Sequence, residues 1–480
     1  MQPIASIGWQ TLLFAYAFFA SVCFQVLLPE VKITWVLYAN LALVCCWRYL
    51  TRLWRTTWDF LCRHSALSAR LKITTDGWQA LLLAYAIFLG VCLLVVVHGK
   101  KIWTLYAALI IPWSWRYLPE LWNTVATSRL YRSILLYLGF LLASIFWSPE
   151  IEPKAVLSTL ASAITIAHFL LLTAGLRARH PEAFDLYLGR LCFLAASSAI
   201  LVIAAWYSQY PFPQSRMEGF GYLDNPIQGA AVFGTFAVIA WHRMIHSSSR
   251  LGYGLVFAAV LAYVCLSWTR SVLIAIGASL VFLTAMQLNR QTLLSLSLVG
   301  SAMLVLGSLS PELTAKLTRP EPYRPYIWID ALTEAIRHPW FGQGYFADPS
   351  GVAELADGSL YRYTHSHSFF IENLRIGGIV GLGLAVWLSG YSLYQTFKRG
   401  IVAGNFLPLA LLIYGFLCIA PNGWELLPGV RIKEVWMMFW LPLGFAVSEE
   451  LRLVSALTGV QPTSPAFCEA PDSDPASRKR

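Results

Sequence analysis

The feature that most constrains this chain is a succession of apolar runs, each near the roughly 20 residues an α-helix needs to cross a bilayer. Candidate spans fall at about 10–29, 33–50, 78–97, 102–118, 133–148, 154–176, 189–208, 226–245, 251–268, 270–288, 291–309, 369–396, 404–421 and 433–449. In hydrocarbon every backbone polar group must be satisfied within the structure, so runs of this length fold as helices. The expectation is an all-α, polytopic integral membrane protein with about 12–14 transmembrane helices. Only 12% of the 480 residues are charged, against roughly 25% in a soluble domain, which excludes the soluble classes. The first run lacks a charged n-region and a small-residue cleavage site, so no cleavable signal peptide is expected.

One stretch breaks the pattern. Between about 310 and 370 the chain turns polar, aromatic and charged. Insertions of this length in compact domains are functional or disordered, and the density of Trp, Tyr and Phe argues against disorder. Ile327, Trp328, Ala331, Leu332, Ala335 and Ile336 recur at helical spacing, which predicts a short amphipathic helix stopped by His338-Pro339. Gly342, Gly344 and Gly351 then allow turns. The stretch reads as one long extramembrane active-site loop, with Tyr326, Trp328, Gly342 and Gly344 as its supporting residues.

The basic connectors orient the chain. Arg48, Arg52, Arg55, Arg63, Arg70 and Lys72, with Arg116, Arg129, Arg132, Arg177, Arg179, Arg190, Arg243 and Arg250, fall on one side together with the basic C-terminus. The orientation rule makes that side cytoplasmic, with both termini inside and the long loop outside. The net charge of +10 is therefore topological and implies no nucleic acid. Against this rule, His98, Lys100 and Lys101, and Arg216, Arg270, Arg319, Arg324, Arg362 and Arg431, lie on the outer face. An anionic ligand there explains an outward set of cations.

The start of the chain is duplicated with a period of about 69 residues. Gly8-Trp9-Gln10 recurs as Gly77-Trp78-Gln79, and Trp47-Arg48-Tyr49-Leu50 as Trp115-Arg116-Tyr117-Leu118. That fits a repeated two-helix hairpin. The organisation read from the sequence is an accessory module over 1–125, a transmembrane core over 126–309, the outer loop over 310–370, C-terminal transmembrane helices over 371–450 and a disordered cytoplasmic tail over 451–480. The nine cysteines avoid the loop and give neither a disulfide framework nor a zinc spacing.

Three outward elements carry candidate chemistry. Arg216 precedes Asn225-Pro226, Arg270 sits in the tight turn Trp268-Thr269-Arg270-Ser271, and His365-Ser366-His367 closes the long loop. Guanidinium groups bind phosphate oxygens bidentately and stay charged, so two facing a cleft hold a diphosphate. Histidine titrates near neutral pH and can take a proton from an attacking hydroxyl; His367 is favoured over His365 for this. Arg324 is a further candidate ligand for the donor. Blander readings stay open: snorkelling for Arg270, a solvated loop charge for Arg216, a loop carboxylate partner for Arg324, and a surface loop for the histidines. A His-x-His metal pair lacks a third ligand of convincing spacing, although Asp348, Asp357 and Glu372 are nearby.

The segments 324–328, 338–344 and His365-Ser366-His367-Ser368-Phe369-Phe370, leading to Gly377-Gly378-Ile379-Val380-Gly381, resemble the bacterial O-antigen ligase superfamily over roughly 190–400. That superfamily includes O-antigen polymerases and O-linking oligosaccharyltransferases. Its usual pattern has Asn after the second histidine, where this chain has Ser368. Its functional arginines map onto Arg216 and Arg270. The resemblance implies a metal- and cofactor-independent, inverting glycosyltransferase of the bacterial inner membrane with its active site on the periplasmic face. It implies transfer of glycan from undecaprenyl diphosphate to a hydroxyl acceptor, commonly the lipid A-core, with a growing glycan or a protein Ser/Thr as alternatives. A lipid-linked glycan transporter would keep its ionisable residues near the bilayer midplane, whereas here they gather at one face.

Overall fold

The computed structural model describes residues 77–94, 97–212, 214–287, 293, 296–297, 300–301, 323–423 and 425–458. The spans at 10–29 and 33–50, the first repeat copy, Arg319, most of the span at 291–309 and the tail from 459 onward lie outside the described residues. The chain is a bundle of helices numbered here in order. They are α1 (Gly77–Leu93), α2 (Gly99–Leu105), α3 (Leu118–Val125), α4 (Arg129–Ala143), α5 (Pro153–Arg179), α6 (Pro181–Tyr207), α7 (Pro226–His246), α8 (Arg250–Leu266), α9 (Arg270–Gln287), α10 (Arg324–Ala335), α11 (Phe369–Ala403), α12 (Leu407–Ile419) and α13 (Leu441–Thr458). Five described helices are long and apolar enough to cross a membrane: α4 with its extension to Trp147, and α5, α6, α9 and α11. The protein is a multi-pass membrane protein.

Helix starts follow local chemistry. Asn225 caps α7 by accepting the Ile227 amide at 2.9 Å, and Pro226 takes the first helical position, where its missing N–H costs nothing. Ser128 caps α4 through Tyr131 N, and the Glu450 carboxylate of α13 adds bonds to Ser128 Oγ at 2.8 Å and to the Arg129 and Leu130 amides at 3.1 Å. A carboxylate at a helix N-terminus satisfies orphan amides and complements the dipole. The span expected at 102–118 is not one continuous helix. It passes from α2 through a π turn, Tyr106–Ile110, and a 3-10 turn, Trp115–Tyr117. Pro112, which has no N–H to give an i−4 carbonyl, lies just after the π turn and accounts for the break.

The second repeat copy is integral to the core. Most of α1 is buried, and Tyr85, Phe88 and Tyr106 pack with Phe169 and Trp436. Helix α7 sits at the centre with small residues that admit close neighbours; Tyr414 Oη of α12 donates to the Ala231 carbonyl at 2.6 Å. Helix α13 continues to Thr458, eight residues past the boundary at 450 read from the sequence.

The long loop is ordered from 323 onward into a small subdomain. Helix α10 forms where periodicity predicts it, burying Ile327, Ala331 and Ala335. A hairpin not foreseen from the sequence follows, β1 (Gly351–Glu354) antiparallel to β2 (Leu360–Tyr363). Its Asp357-Gly358 turn is a hairpin signal, overlooked beside the longer helical pattern. Ala353 and Tyr363 pack on Ile327 and Ala331, and Tyr363 Oη donates to Asp330 at 2.7 Å.

Candidate active site

Helix α11 carries the site at its start and is broken two turns later. Gly378 adopts φ 62°, ψ −155° inside it, a region open essentially to glycine. The broken ladder is completed by the loop 338–344. The Ile379 and Val380 amides donate to the Pro339 and Trp340 carbonyls at 2.7 and 3.3 Å, and the Arg375 and Ile376 carbonyls accept the Gln343 and Gly344 amides at 2.8 and 3.0 Å. Backbone freed in a membrane helix must find such partners. Gly342 lies so close to Arg375 and Ile376 that a Cβ there would meet their backbone at 2.5 Å. Trp147 Nε1 donates to the Phe341 carbonyl at 2.8 Å, tying the same loop to α4.

A cavity of about 810 Å³ opens beside the first turn of α11. His365, His367, Glu372, Arg375 and Asn422 are among its lining residues. The two histidine rings lie 3.9 Å apart between centroids. His365 Nδ1 accepts the His367 amide at 3.3 Å, so the neutral ring carries its proton on Nε2. Burial lowers the His365 pKa below the ordinary imidazole value; Glu372 opposes this, and Lys433 and Arg324 reinforce it. His365 is therefore neutral at pH 7.

His367 adopts φ 53° and Trp268 φ 51°; they alone among the described non-glycine residues have positive φ. Each costs about 1–3 kcal/mol, strain that persists only where the surroundings impose it. Around His367 they do: Gly423 stands against the His367 and Ser368 backbone without room for a Cβ. The Phe369 amide reaches the Ala420 carbonyl at 3.3 Å. Ser366 Oγ donates to Glu372 Oε2 at 2.8 Å. Glu372 also receives Arg375 Nε at 2.9 Å and Nη2 at 2.6 Å, while Arg375 Nη1 donates to the Ala347 carbonyl at 2.8 Å. This ion pair is largely buried, its side chains 6% and 16% exposed.

The sequence-derived arginines lie on elements joined to this arc by hydrogen bonds. Arg216 Nε donates to the Ser267 carbonyl at 2.9 Å, and the Met217 amide to Leu266 at 3.1 Å, so Arg216 is fixed on the same turn that carries Arg270. Arg324 donates from Nη1 to the Pro421 carbonyl at 3.0 Å and from Nη2 to Asn422 Oδ1 at 3.2 Å. Asn422 Nδ2 in turn donates to Ser271 Oγ at 3.2 Å. Asn422 thus joins α10 to the Arg270 turn and sits next to Gly423, which backs His367. Arg216, Arg270 and Arg324 are not part of the cavity lining, whereas both histidines are. Tyr326 and Trp328 pack against the α10–hairpin cluster, away from the histidines' hydrogen bonds.

Residues 229–386 match the family model described as O-antigen ligase. The chain is also 28% identical, over 359 residues, to an O-antigen ligase of Pseudomonas aeruginosa, covering 72% of this chain and 84% of that protein. Both likenesses point to the O-antigen ligase superfamily. They support a ligase-like glycosyltransferase, an enzyme acting on lipid-linked glycans. The matched segment contains Arg270, Arg324, His365 and His367. Ser368, where this superfamily usually has Asn, occupies the N-cap position of α11 without a side-chain cap. Its amide instead donates to Ser366 Oγ at 3.4 Å. Asn422, Glu372 and Arg375 carry the support of this ligase-like site and were not singled out as site residues from the sequence. Asn422-Gly423 after an apolar run was the available signal, since a polar pair ending a span needs partners there.

Proposed function

We propose that this protein transfers glycan from undecaprenyl diphosphate to a hydroxyl of a lipid A-core acceptor, at the periplasmic face of the inner membrane. Arg216 and Arg270 hold the donor diphosphate. His367 takes the proton of the acceptor hydroxyl, whose oxygen attacks the anomeric carbon. The bond from that carbon to the phosphate oxygen breaks, undecaprenyl diphosphate leaves with its charge held by the arginines, and the anomeric configuration inverts. His365 keeps its proton on Nε2 and holds the His367 backbone through Nδ1. Arg324 braces Asn422, and α10 with its hairpin closes the site from water, which competes as acceptor.

The observation that carries this reading is the paired histidine arc in a cation-rich cavity, linked through Gly423, Asn422 and Ser271 to the turn bearing Arg270. A base with an unprotonated neighbour, next to a diphosphate clamp, is what acyl-free displacement from a diphosphate needs. Deletion of the gene followed by lipopolysaccharide electrophoresis tests it. Loss of all long-chain ladders with accumulation of lipid-linked glycan is expected. Cores capped with a single repeat would instead identify a polymerase, and an unchanged ladder beside unglycosylated pilin a protein transferase.

A further inference from the structure

The same cavity carries more positive charge than the histidines and the buried Glu372–Arg375 pair require. The loop 425–433 docks between two helix starts: the Ile432 amide donates to the Gly99 carbonyl at 3.0 Å, and the Val430 amide to Ser158 Oγ at 3.2 Å. This brings Arg431 and Lys433 to the cavity wall together with Lys100 of α2 and Lys154 of α5. One carboxylate answers them. Glu425 Oε2 accepts both Arg431 Nη2 and Lys433 Nζ at 3.1 Å. Lys100 and Lys154 are exposed and have no ion-pair partner among the described residues. Among the described lining residues, apart from the Glu372–Arg375 pair, four cations face one carboxylate. They stand at the end of the bundle where the orientation rule disfavours lysine and arginine, so topology does not account for them.

We infer that Lys100, Lys154, Arg431 and Lys433 form a subsite for phosphate groups on the acceptor, which is a phosphorylated glycolipid. This rests on the transferase reading, in which the donor diphosphate is held by Arg216 and Arg270, outside the cavity lining, while the acceptor must reach the histidines inside it. Charge-assisted bonds to phosphate are strong, and clustered cations in a cleft raise the local concentration of an anionic substrate and speed its capture. Glu425 holds Arg431 and Lys433 side by side, so two donors reach one phosphate without first being ordered.

The test is a binding measurement on the full-length protein in detergent, by thermophoresis, with three probes. These are rough-type lipid A-core, the same glycolipid stripped of its core phosphates, and phosphatidylglycerol in mixed micelles. The unmodified protein should bind the phosphorylated glycolipid about tenfold more tightly than the stripped one, the worth of one good charged contact. Lys100→Gln with Lys154→Gln, or Arg431→Gln with Lys433→Gln, should erase that preference while binding of the stripped glycolipid changes less than twofold. Unchanged thermal melting of the variants excludes misfolding. Equal affinity of the unmodified protein for both glycolipids overturns the subsite. So does a loss confined to phosphatidylglycerol, which would make it a lipid-headgroup site. Because no turnover is read, a chain that fails to transfer glycan leaves this result standing. Equal binding of both glycolipids by a chain that transfers glycan removes the subsite and keeps the transferase.

Discussion

The Ile379 amide donates to the Pro339 carbonyl at 2.7 Å, taking the place of the helical bond that Gly378 breaks. With its three companions it makes the motif at 338–344 a splint for the membrane helix that begins at the histidines. Gly378→Ala places a Cβ against the Trp340 carbonyl group in a backbone region costing a non-glycine residue about 1–3 kcal/mol. Melting should fall by several degrees and transfer should be lost. Gly383→Ala, later in the same helix and with open space at its Cβ, should leave both unchanged.

Protonation of His365 is one acid-side event that should lower activity, because it loosens the hold on His367. The His365 pKa lies below the ordinary imidazole value because burial disfavours the charged ring. The neutral form therefore persists to lower pH than in a free histidine, and the component of the kcat/KM acid limb that responds to Lys433→Gln should lie below about 6.5. Protonation at Nδ1 removes the acceptor for the His367 amide. Since Lys433 is among the groups holding the pKa down, Lys433→Gln should move the limb to higher pH. A Lys433-sensitive component above that of free histidine would contradict the assignment.

The two arginines differ from lysine in geometry rather than charge. Arg216 is anchored through Nε on the Ser267 carbonyl. Arg216→Lys and Arg270→Lys should each raise the donor KM about tenfold or more, as expected where bidentate phosphate contacts are lost. Kinetics at saturating acceptor separate this from an effect on the acceptor.

Glu372 is held to matter through Arg375 and Ser366. Glu372→Gln leaves the Arg375 guanidinium, 6% exposed, without its counter-charge and should cost about 1–3 kcal/mol in stability. It should also slow transfer by loosening the Ser366 contact. Glu354→Gln on the exposed hairpin strand should shift stability by less than about 0.5 kcal/mol.

The helical architecture was legible because each span repeats the same physical demand, and α10 because Ile327, Ala331 and Ala335 mark one face. What sequence could not show was how elements distant in the chain meet. Gly342 and Gly378 both stand out as glycines, yet only the fold reveals that one packs beside the break made by the other. Asn422 looked like the end of a span, and its bonds to Arg324 and Ser271 exist only after three helices converge. Arg375 lay hidden for a different reason: a charge in the first turns of a span reads as interfacial, whereas here Glu372 and the Ala347 carbonyl bury it. Pro112 did announce its break, but the apolar run around it spoke louder.

The central claim is that His367 takes the acceptor proton in a glycan transfer. Purified protein in proteoliposomes, supplied with undecaprenyl-diphosphate glycan and lipid A-core, measures it directly. The unmodified protein should form the linked product, and His367→Ala should lower kcat roughly 10²–10⁴-fold, the worth of a general base, with donor binding retained. A His367→Ala protein that transfers glycan within tenfold of the unmodified rate would contradict it.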